Sequence, residues 1–238
     1  MKAVVMAGGK GTRLQPFTAS FPKPLMPLGD MPVLELLLRQ LRGAGVDEVI
    51  LAVNHLHHLI RAFCGDGSRF GLKIDYSLED SPLGTAGPLG ALIDKVGENF
   101  IVTNGDLLTT FDIKQLIRIH ADRQSDATIC VYEREVKIDF GLIQVDAEMN
   151  LQGYLEKPMS KHLVSMGLYM LNRDAVKPLV SEGVHLDMPE LLLKLNGAGK
   201  KVRCHLQPES FWLDIGRPDD YSTAQKLFEE RRELFLPD

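Results

Sequence analysis

Directly behind a short apolar run, Lys2–Met6, the chain reads Ala7-Gly8-Gly9-Lys10-Gly11-Thr12-Arg13-Leu14. Glycines let the backbone approach an anion and turn successive N–H groups toward it, and Lys10 and Arg13 add mobile charge beside those donors. The loop is not a Walker A motif, because no Gly-Lys-Ser/Thr closes it. Nor is it a dinucleotide fingerprint, because Gly9-Lys10-Gly11 is not followed by a glycine three positions later. A few residues on, Phe21-Pro22-Lys23-Pro24-Leu25 fixes the backbone on both sides of one lysine. A surface lysine has no need of such rigidity, whereas a phosphate contact benefits from it. From Met1 to Gly29 there is no acidic residue, so this segment carries +4 while the whole chain carries −5. Positive charge confined to one part of an acidic chain points to a local anion site and argues against general nucleic-acid binding.

Two carboxylates stand out. Asp106 follows the buried run Phe100–Thr103 and would sit at the carboxyl end of a strand, where open α/β sheets bind ligands. By itself, Asn104-Gly105-Asp106 also fits an ordinary turn. Asp214, in Phe211-Trp212-Leu213-Asp214, is either a second ligand-binding carboxylate or the cap of a terminal helix. Glu156-Lys157-Pro158 ends another strand-like run and reads either as a polar binding pair or as a solvated ion pair.

The elements that must position these residues alternate in the first half. Lys2–Met6, Glu48–Val53, Lys73–Leu78 and Phe100–Thr103 read as strands. Pro32–Ala44, Leu56–Cys64, Thr85–Lys95 and Ile113–Arg123 read as helices, the last with Ile113, Leu116, Ile117 and His120 on one face. This order predicts an α/β fold with a Rossmann-like, mainly parallel central sheet flanked by helices. After Ala127 come four strand-like runs, Thr128–Tyr132, Gly141–Val145, Leu151–Glu156 and Val164–Leu171. A short helix near Asp174–Leu179, a helix over Asp187–Leu195, a strand Val202–Leu206 and a terminal helix Pro218–Arg232 follow. We expect one domain over 1–238, with a nucleotide-binding part over about 1–126 and a smaller β-rich ligand-binding lobe with the terminal helix over about 127–238. No six-residue periodicity predicts a C-terminal β-helix.

The loop and its neighbours resemble the signature of the sugar-1-phosphate nucleotidyltransferases. The resemblance runs from Ala7–Leu14 and Pro22–Pro32 through Leu83-Gly84-Thr85-Ala86-Gly87, Asn104-Gly105-Asp106 and Glu156-Lys157-Pro158 to Trp212–Pro218. The motifs stand in family order over essentially the whole chain. Within the family, Glu79–Leu89 looks most like mannose-1-phosphate guanylyltransferases. The implied reaction joins an NTP, here GTP, to a sugar 1-phosphate of the mannose or a related hexose or heptose type, releasing pyrophosphate. A phosphate monoester has a second pKa of about 6, so the nucleophile is already ionised and no general base is required. Catalysis then consists of positioning and charge neutralisation.

The resemblance implies Arg13 and Lys23 as catalytic residues over the phosphates, and Mg²⁺ held by Asp106 and Asp214. It implies nucleotide contacts from Ala7, Gly8, Gly9, Lys10, Gly11, Thr12, Gly84, Thr85 and Asn104, with Glu79 or else Asp80 accepting from guanine's pairing edge. Gly141, Glu156, Lys157 and Ser165 would bind the sugar phosphate. Ser165-Met166-Gly167 departs from the family's usual Asn-Ala-Gly, and the shorter hydroxyl leaves the sugar open. A UTP- or dTTP-dependent enzyme, a choline-phosphate cytidylyltransferase and a non-catalytic nucleotide-sugar-binding subunit are the alternatives. The presence of Arg13, Lys23, Asp106, Lys157 and Asp214 favours the enzyme.

Three dispersed cysteines, no apolar run near the ~18–20 residues of a membrane span and no signal-peptide pattern predict a cytoplasmic protein without membrane or nucleic-acid partners. A homodimer is compatible with the sequence. His55, His57 and His58 do not share the i, i+4 face that zinc-binding helices use. Met166, Met170 and Met188 are expected to pack in the core, and Glu229–Glu233 to form an exposed charged face.

Overall fold

A computed structural model describes residues 1–9, 11–216 and 218–236. Lys10, one of the expected nucleotide contacts, lies outside the described residues. The strands are β1 (Lys2–Met6), β2 (Pro27–Leu28), β3 (Met31–Pro32), β4 (Glu48–Val53), β5 (Lys73–Leu78), β6 (Asn99–Asn104), β7 (Leu107–Thr109), β8 (Ala127–Lys137), β9 (Leu142–Val145), β10 (Leu151–Leu155), β11 (Met159–Asn172), β12 (Val202–Leu206) and β13 (Trp212–Asp214). The helices are α1 (Val33–Gly43), α2 (His57–Cys64), α3 (Leu89–Leu92), α4 (Ile113–Asp122), α5 (Arg173–Val176), α6 (Met188–Gly197) and α7 (Pro218–Glu230).

The central sheet has seven strands in the order β12-β8-β11-β6-β1-β4-β5. β1, β4, β5 and β6 run parallel, β11 is antiparallel to both β6 and β8, and β12 is parallel to β8. One reversed strand therefore sits in an otherwise parallel sheet. β1 and β4 are buried along most of their length, as continuous apolar strands between two helical layers must be. One layer packs α1 against the sheet through Leu34, Leu37, Leu38 and Leu41. The other packs α3 and α6 through Leu89, Leu92, Leu191 and Leu195. Strands of the second half complete the sheet begun by the first, so the two parts share their cores.

The 3.6-residue pattern located α4 well. Asp112 caps it by accepting a 3.0 Å bond from the Gln115 N–H, and Ile113, Leu116 and His120 face inward. His120 is a core residue, with Thr128 Oγ1 at 2.9 Å from Nδ1 and Asn99 Oδ1 at 3.1 Å from Nε2. Burial holds its pKa below the ordinary histidine value. Met166, Met170 and Met188 are buried too.

Elsewhere the structure departs from the periodicity. The helix expected over Thr85–Lys95 shrinks to Leu89–Leu92, because Leu83–Gly87 turns to meet the chain just before α6. The Ala86 and Gly87 N–H groups each donate to the Leu186 carbonyl at 2.9 Å, and Leu186 N–H donates back to Leu83. A Cβ on Gly87 would stand 2.2 Å from the Leu83 carbonyl oxygen, so only glycine allows this approach. β11 is far longer than the expected Val164–Leu171, and β7 and β13 are strands that no alternation announced.

Candidate active site

Four parallel strands bring their carboxyl ends to one edge of the sheet, and the cleft opens there. Its volume is about 490 Å³, within the range of small-molecule sites. Ala7, Gly8 and Gly9 leave β1 and form part of its wall, with Lys23, Glu79, Gly84, Thr85, Asn104 and Asp106 around them. Gly8 sits close to Glu79, since a Cβ there would stand 3.0 Å from Glu79 Oε1.

Gly11 has φ of +59° and its Cβ position is crowded by Thr18 and by Cβ of Lys23. Thr18 Oγ1 donates to the Gly11 carbonyl at 2.7 Å, and Leu14 N–H donates to the same oxygen at 2.9 Å. This fastens the turn Thr12–Leu14 to the backbone that carries Lys23. Pro22 and Pro24 then direct the lysine inward, and its side chain is only 9% exposed.

The lysine ammonium stands between two carboxylates. It is ion-paired with Asp106, and it donates to Asp214 Oδ1 at 3.0 Å. Arg13 Nη2 lies 4.0 Å from the other oxygen of Asp214, with the guanidinium largely in solvent. The two acids meet because β13 pairs antiparallel with β7, which places Asp214 opposite Leu107, the neighbour of Asp106. Asp214 is thus a strand residue, not a cap for α7.

Sequence reasoning placed Lys23 on the phosphates alone; the structure shows it first as counter-ion to both acids. Among the described residues no cluster of three or more His, Cys, Asp or Glu side chains could hold a metal by itself. Asp106 and Asp214 nevertheless converge on one cation, the Lys23 ammonium. Two carboxylates supplemented by phosphate oxygens and waters are the donor set that Mg²⁺ takes in nucleotide sites. The residues present therefore fit that ion.

The far end of the cleft is lined by Glu79 and the Pro82–Thr85 turn. Glu79 Oε2 accepts a 3.2 Å bond from the Leu83 N–H, and burial raises its carboxyl pKa above the usual value despite that bond. Asn54, which sequence reasoning missed, also lines the cleft and donates through Nδ2 to the Glu79 carbonyl at 3.0 Å. Its position immediately after β4 was the available signal, because residues at that edge face ligands. Asp187 was missed too. It accepts from both the N–H and the hydroxyl of Thr85, at 3.0 and 3.2 Å, while Met188 N–H donates to the same hydroxyl at 2.7 Å. The Thr85 side chain is therefore committed to shaping the turn.

Thr12 and Gly11 stand beside the cleft rather than in its lining, and Gly141, Glu156, Lys157 and Ser165 are also outside it. Gly141 lies under the Tyr154 hydroxyl, and Glu156 and Lys157 are exposed between β10 and β11. Ser165 Oγ is 2.8 Å from the Tyr169 hydroxyl. Asn104 packs over Gly167, whose φ is +76° and whose Cβ would meet the Asn104 amide. Trp212 Nε1 donates to the Met166 carbonyl at 2.9 Å, tying β13 to the same strand.

A family of nucleotidyl transferases matches residues 2–231. A probable mannose-1-phosphate guanylyltransferase 1 of Oryza sativa subsp. japonica is 33% identical over 96% of this chain and 64% of its own length. A mannose-1-phosphate guanylyltransferase of Mycobacterium tuberculosis is 33% identical over 92% of this chain and 62% of its own. The chain thus spans somewhat under two thirds of these relatives. The crystal structure of HddC from Yersinia pseudotuberculosis, also solved in complex with GMP-PN, is 26% identical in the first form, with a TM-score of 0.71 over 95% of this chain and 99% of that one. With one match running over residues 2–231, and with the glycine turn, Lys23 and Asp106 lining one cleft where Lys23 also holds the remote Asp214, this chain belongs to the nucleotidyl transferase family.

Proposed function

We propose that the protein is a Mg²⁺-dependent sugar-1-phosphate guanylyltransferase, forming a GDP-sugar and pyrophosphate from GTP and a mannose-like or related hexose or heptose 1-phosphate. The observation that carries this reading is the convergence of Asp106 and Asp214 on one cation beside the glycine turn. Similarity to guanylyltransferases supports the nucleotide and the sugar class. A cytoplasmic location suits three free thiols, and among the described residues no helix is long and apolar enough to cross a membrane.

In this reading the triphosphate runs along Gly8-Gly9, where backbone N–H groups receive its oxygens, and Thr12 flanks it. Guanine lies toward Glu79 and the Leu83–Gly87 turn, with Gly84 allowing close approach. The ionised sugar phosphate, held by Lys157 and by Glu156 on its hydroxyls, attacks the α-phosphorus in line, with Gly141 and Ser165 around the sugar and Asn104 on the nucleotide side. Arg13 and Lys23 neutralise charge as it moves onto pyrophosphate. Mg²⁺, when held by Asp106 and Asp214, would supply further neutralisation at the phosphate oxygens. A matrix of four NTPs against several sugar 1-phosphates, read by pyrophosphate release, tests the reading. Preference for UTP or dTTP would make the uridylyl or thymidylyl reading the better one, and no release with any pair would favour a binding subunit.

Glu79→Gln is expected to narrow the preference for GTP over UTP by about 1–3 kcal/mol, since the amide turns donors toward guanine's own donors. The sign with pH follows from burial. Ionisation of Glu79 in the ligand-free fold is penalised above its raised pKa and costs nothing below the ordinary carboxylate pKa. The variant should therefore melt no lower than the wild type at neutral pH. GTP affinity should weaken as pH falls through the raised pKa. Calorimetry across that window checks both, and an unchanged nucleotide preference would remove Glu79 from the base site.

A second pair of variants separates the two phosphates. Arg13→Lys keeps charge but loses the planar fork, so kcat should fall by about 10–100-fold with little change in GTP binding. Lys157→Ala should raise KM for the sugar phosphate and leave GTP binding intact. Loss of GTP binding in Lys157→Ala would overturn the division into two halves.

A further inference from the structure

The turn at 83–87 belongs to the first half of the chain, but it is fastened from the second. The segment 181–188 runs across it at very close range. A Cβ on Gly84 would stand 2.6 Å from the Leu186 carbonyl oxygen and 2.8 Å from Asp187 Oδ1, and one on Gly90 would stand 2.2 Å from the Ser181 carbonyl oxygen. Backbone donors in such a turn can be accounted for one by one. Pro82 and Pro88, on either side, have no N–H. The Leu83 N–H donates to Glu79 Oε2, the Ala86 and Gly87 N–H groups donate to the Leu186 carbonyl, and the Thr85 N–H donates to Asp187 Oδ1 at 3.0 Å. Among the described residues the Gly84 N–H alone of these five has no partner, and Gly84 lines the cleft.

This end of the cleft therefore offers one backbone donor beside the Glu79 carboxylate, which only accepts when ionised. Asp187 keeps the number at one. It takes the Thr85 N–H and also the Thr85 hydroxyl, at 3.2 Å, while the Met188 N–H holds that hydroxyl from the other side at 2.7 Å. Thr85 lines the cleft as well, so without Asp187 a second N–H becomes available there. Asp187 itself does not line the cleft, and its side chain makes no cap for α6. Both Asp187 and Thr85 are exposed, and a hydrogen bond between exposed groups replaces bonds to water at little net gain. Folding has small need of this contact; the shape of the turn depends on it.

On the reading that this turn faces the base, we propose that Asp187 is a positioning residue for base selection, which touches no substrate and, by holding Thr85, leaves the Gly84 N–H as the one unspent donor of the turn. Guanine's pairing edge carries one acceptor and two donors, and one backbone donor beside a carboxylate complements it. Uracil's edge carries two acceptors about one donor, so a turn with a second unspent N–H suits it better. Selection between nucleotides then rests on a residue of the second half, reached across 102 positions of chain.

Calorimetric titration of the intact chain with GTP and with UTP, beside steady-state kinetics, tests this. Asp187→Ala is expected to weaken GTP binding by about tenfold and UTP binding by less. It should leave kcat at saturating GTP and KM for the sugar phosphate within about threefold of the wild type, a division that general damage to the fold would not give. Asp187→Asn keeps an acceptor oxygen at the same reach and should restore most of the lost GTP affinity. Thr85→Val removes the hydroxyl, and its cost should shrink in the Asp187→Ala background, because the hydroxyl acts through Asp187. Circular dichroism confirms folding; should Asp187→Ala not fold, Thr85→Val by itself must show the same GTP-selective weakening. Equal weakening of both nucleotides, unchanged affinities, an Asn variant no better than Ala, or fully additive losses would overturn the proposal. A wild type that prefers UTP would overturn the guanylyl reading instead, and the ratio of the two affinities must then still move in Asp187→Ala and return in Asp187→Asn.

Discussion

Asp106→Asn and Asp214→Asn are each expected to lower turnover by on the order of 10²–10³-fold, or roughly 3–4 kcal/mol in the barrier. An amide keeps the shape of the carboxylate but not its charge, and here the charge does the organising. Both acids close on the same lysine ammonium, and both come from short strands that are hydrogen-bonded to one another. Removing either leaves one carboxylate to attract a divalent ion beside the triphosphate. The apparent Mg²⁺ requirement should therefore rise in both variants, and saturating Mg²⁺ should recover part of the loss. Rates measured at limiting and saturating Mg²⁺ make the check. Near-normal turnover at limiting Mg²⁺ would exclude the pair as metal ligands. GTP affinity measured without metal should change little, because the glycine turn and Glu79 are untouched.

Lys23→Met is expected to act twice, and the two effects can be read separately. The nearly buried ammonium is the close counter-ion of Asp106 and Asp214, while Arg13 reaches only 4.0 Å from Asp214 and is mostly in solvent. Methionine fills similar space but leaves two acids converging without that charge. Breaking a fully buried pair costs about 3–5 kcal/mol; the 42% exposure of Asp214 reduces this to roughly 1–3 kcal/mol, read as a lower melting temperature. Added Mg²⁺ or Mn²⁺ without nucleotide should raise the melting temperature of the variant more than that of the wild type, because no ammonium competes for the same oxygens. Turnover should also fall steeply, since the phosphates lose a cation. A variant as stable as the wild type and indifferent to divalent ions would show that Lys23 does not hold the two acids together.

Much of the scaffold was legible in the chain because it is governed by local geometry. β1, β4 and β5 are short apolar or alternating runs between glycine and loop signals, and a strand's period of two is written in its own residues. α1 and α4 repeat apolar positions every three to four residues, which only a helix brings to one face. The glycine turn was legible for the same reason, since its backbone freedom belongs to the residues themselves. The terminal helix begins at Pro218, as proline at a helix start predicts.

What the sequence determined by itself was the α/β alternation, the residue types available for phosphate chemistry and the order of the motifs. The tertiary structure decided how those residues meet. The sequence separation of 108 between Asp106 and Asp214 is closed by the pairing of β7 with β13, two three-residue strands too short to carry a period. Lys23 becomes the counter-ion of both acids only once that pairing exists. Asn54 and Asp187 enter because β4 ends at the cleft and because α6 docks behind the Leu83–Gly87 turn. The apolar runs of β9 and β10 read in sequence only as strands, and it is the fold that leaves side chains on both of their faces exposed. Short-range propensity is set by a few neighbouring dihedral angles. Which distant surfaces close on one another is set by the free energy of burying them together, and no stretch of the chain carries that quantity alone.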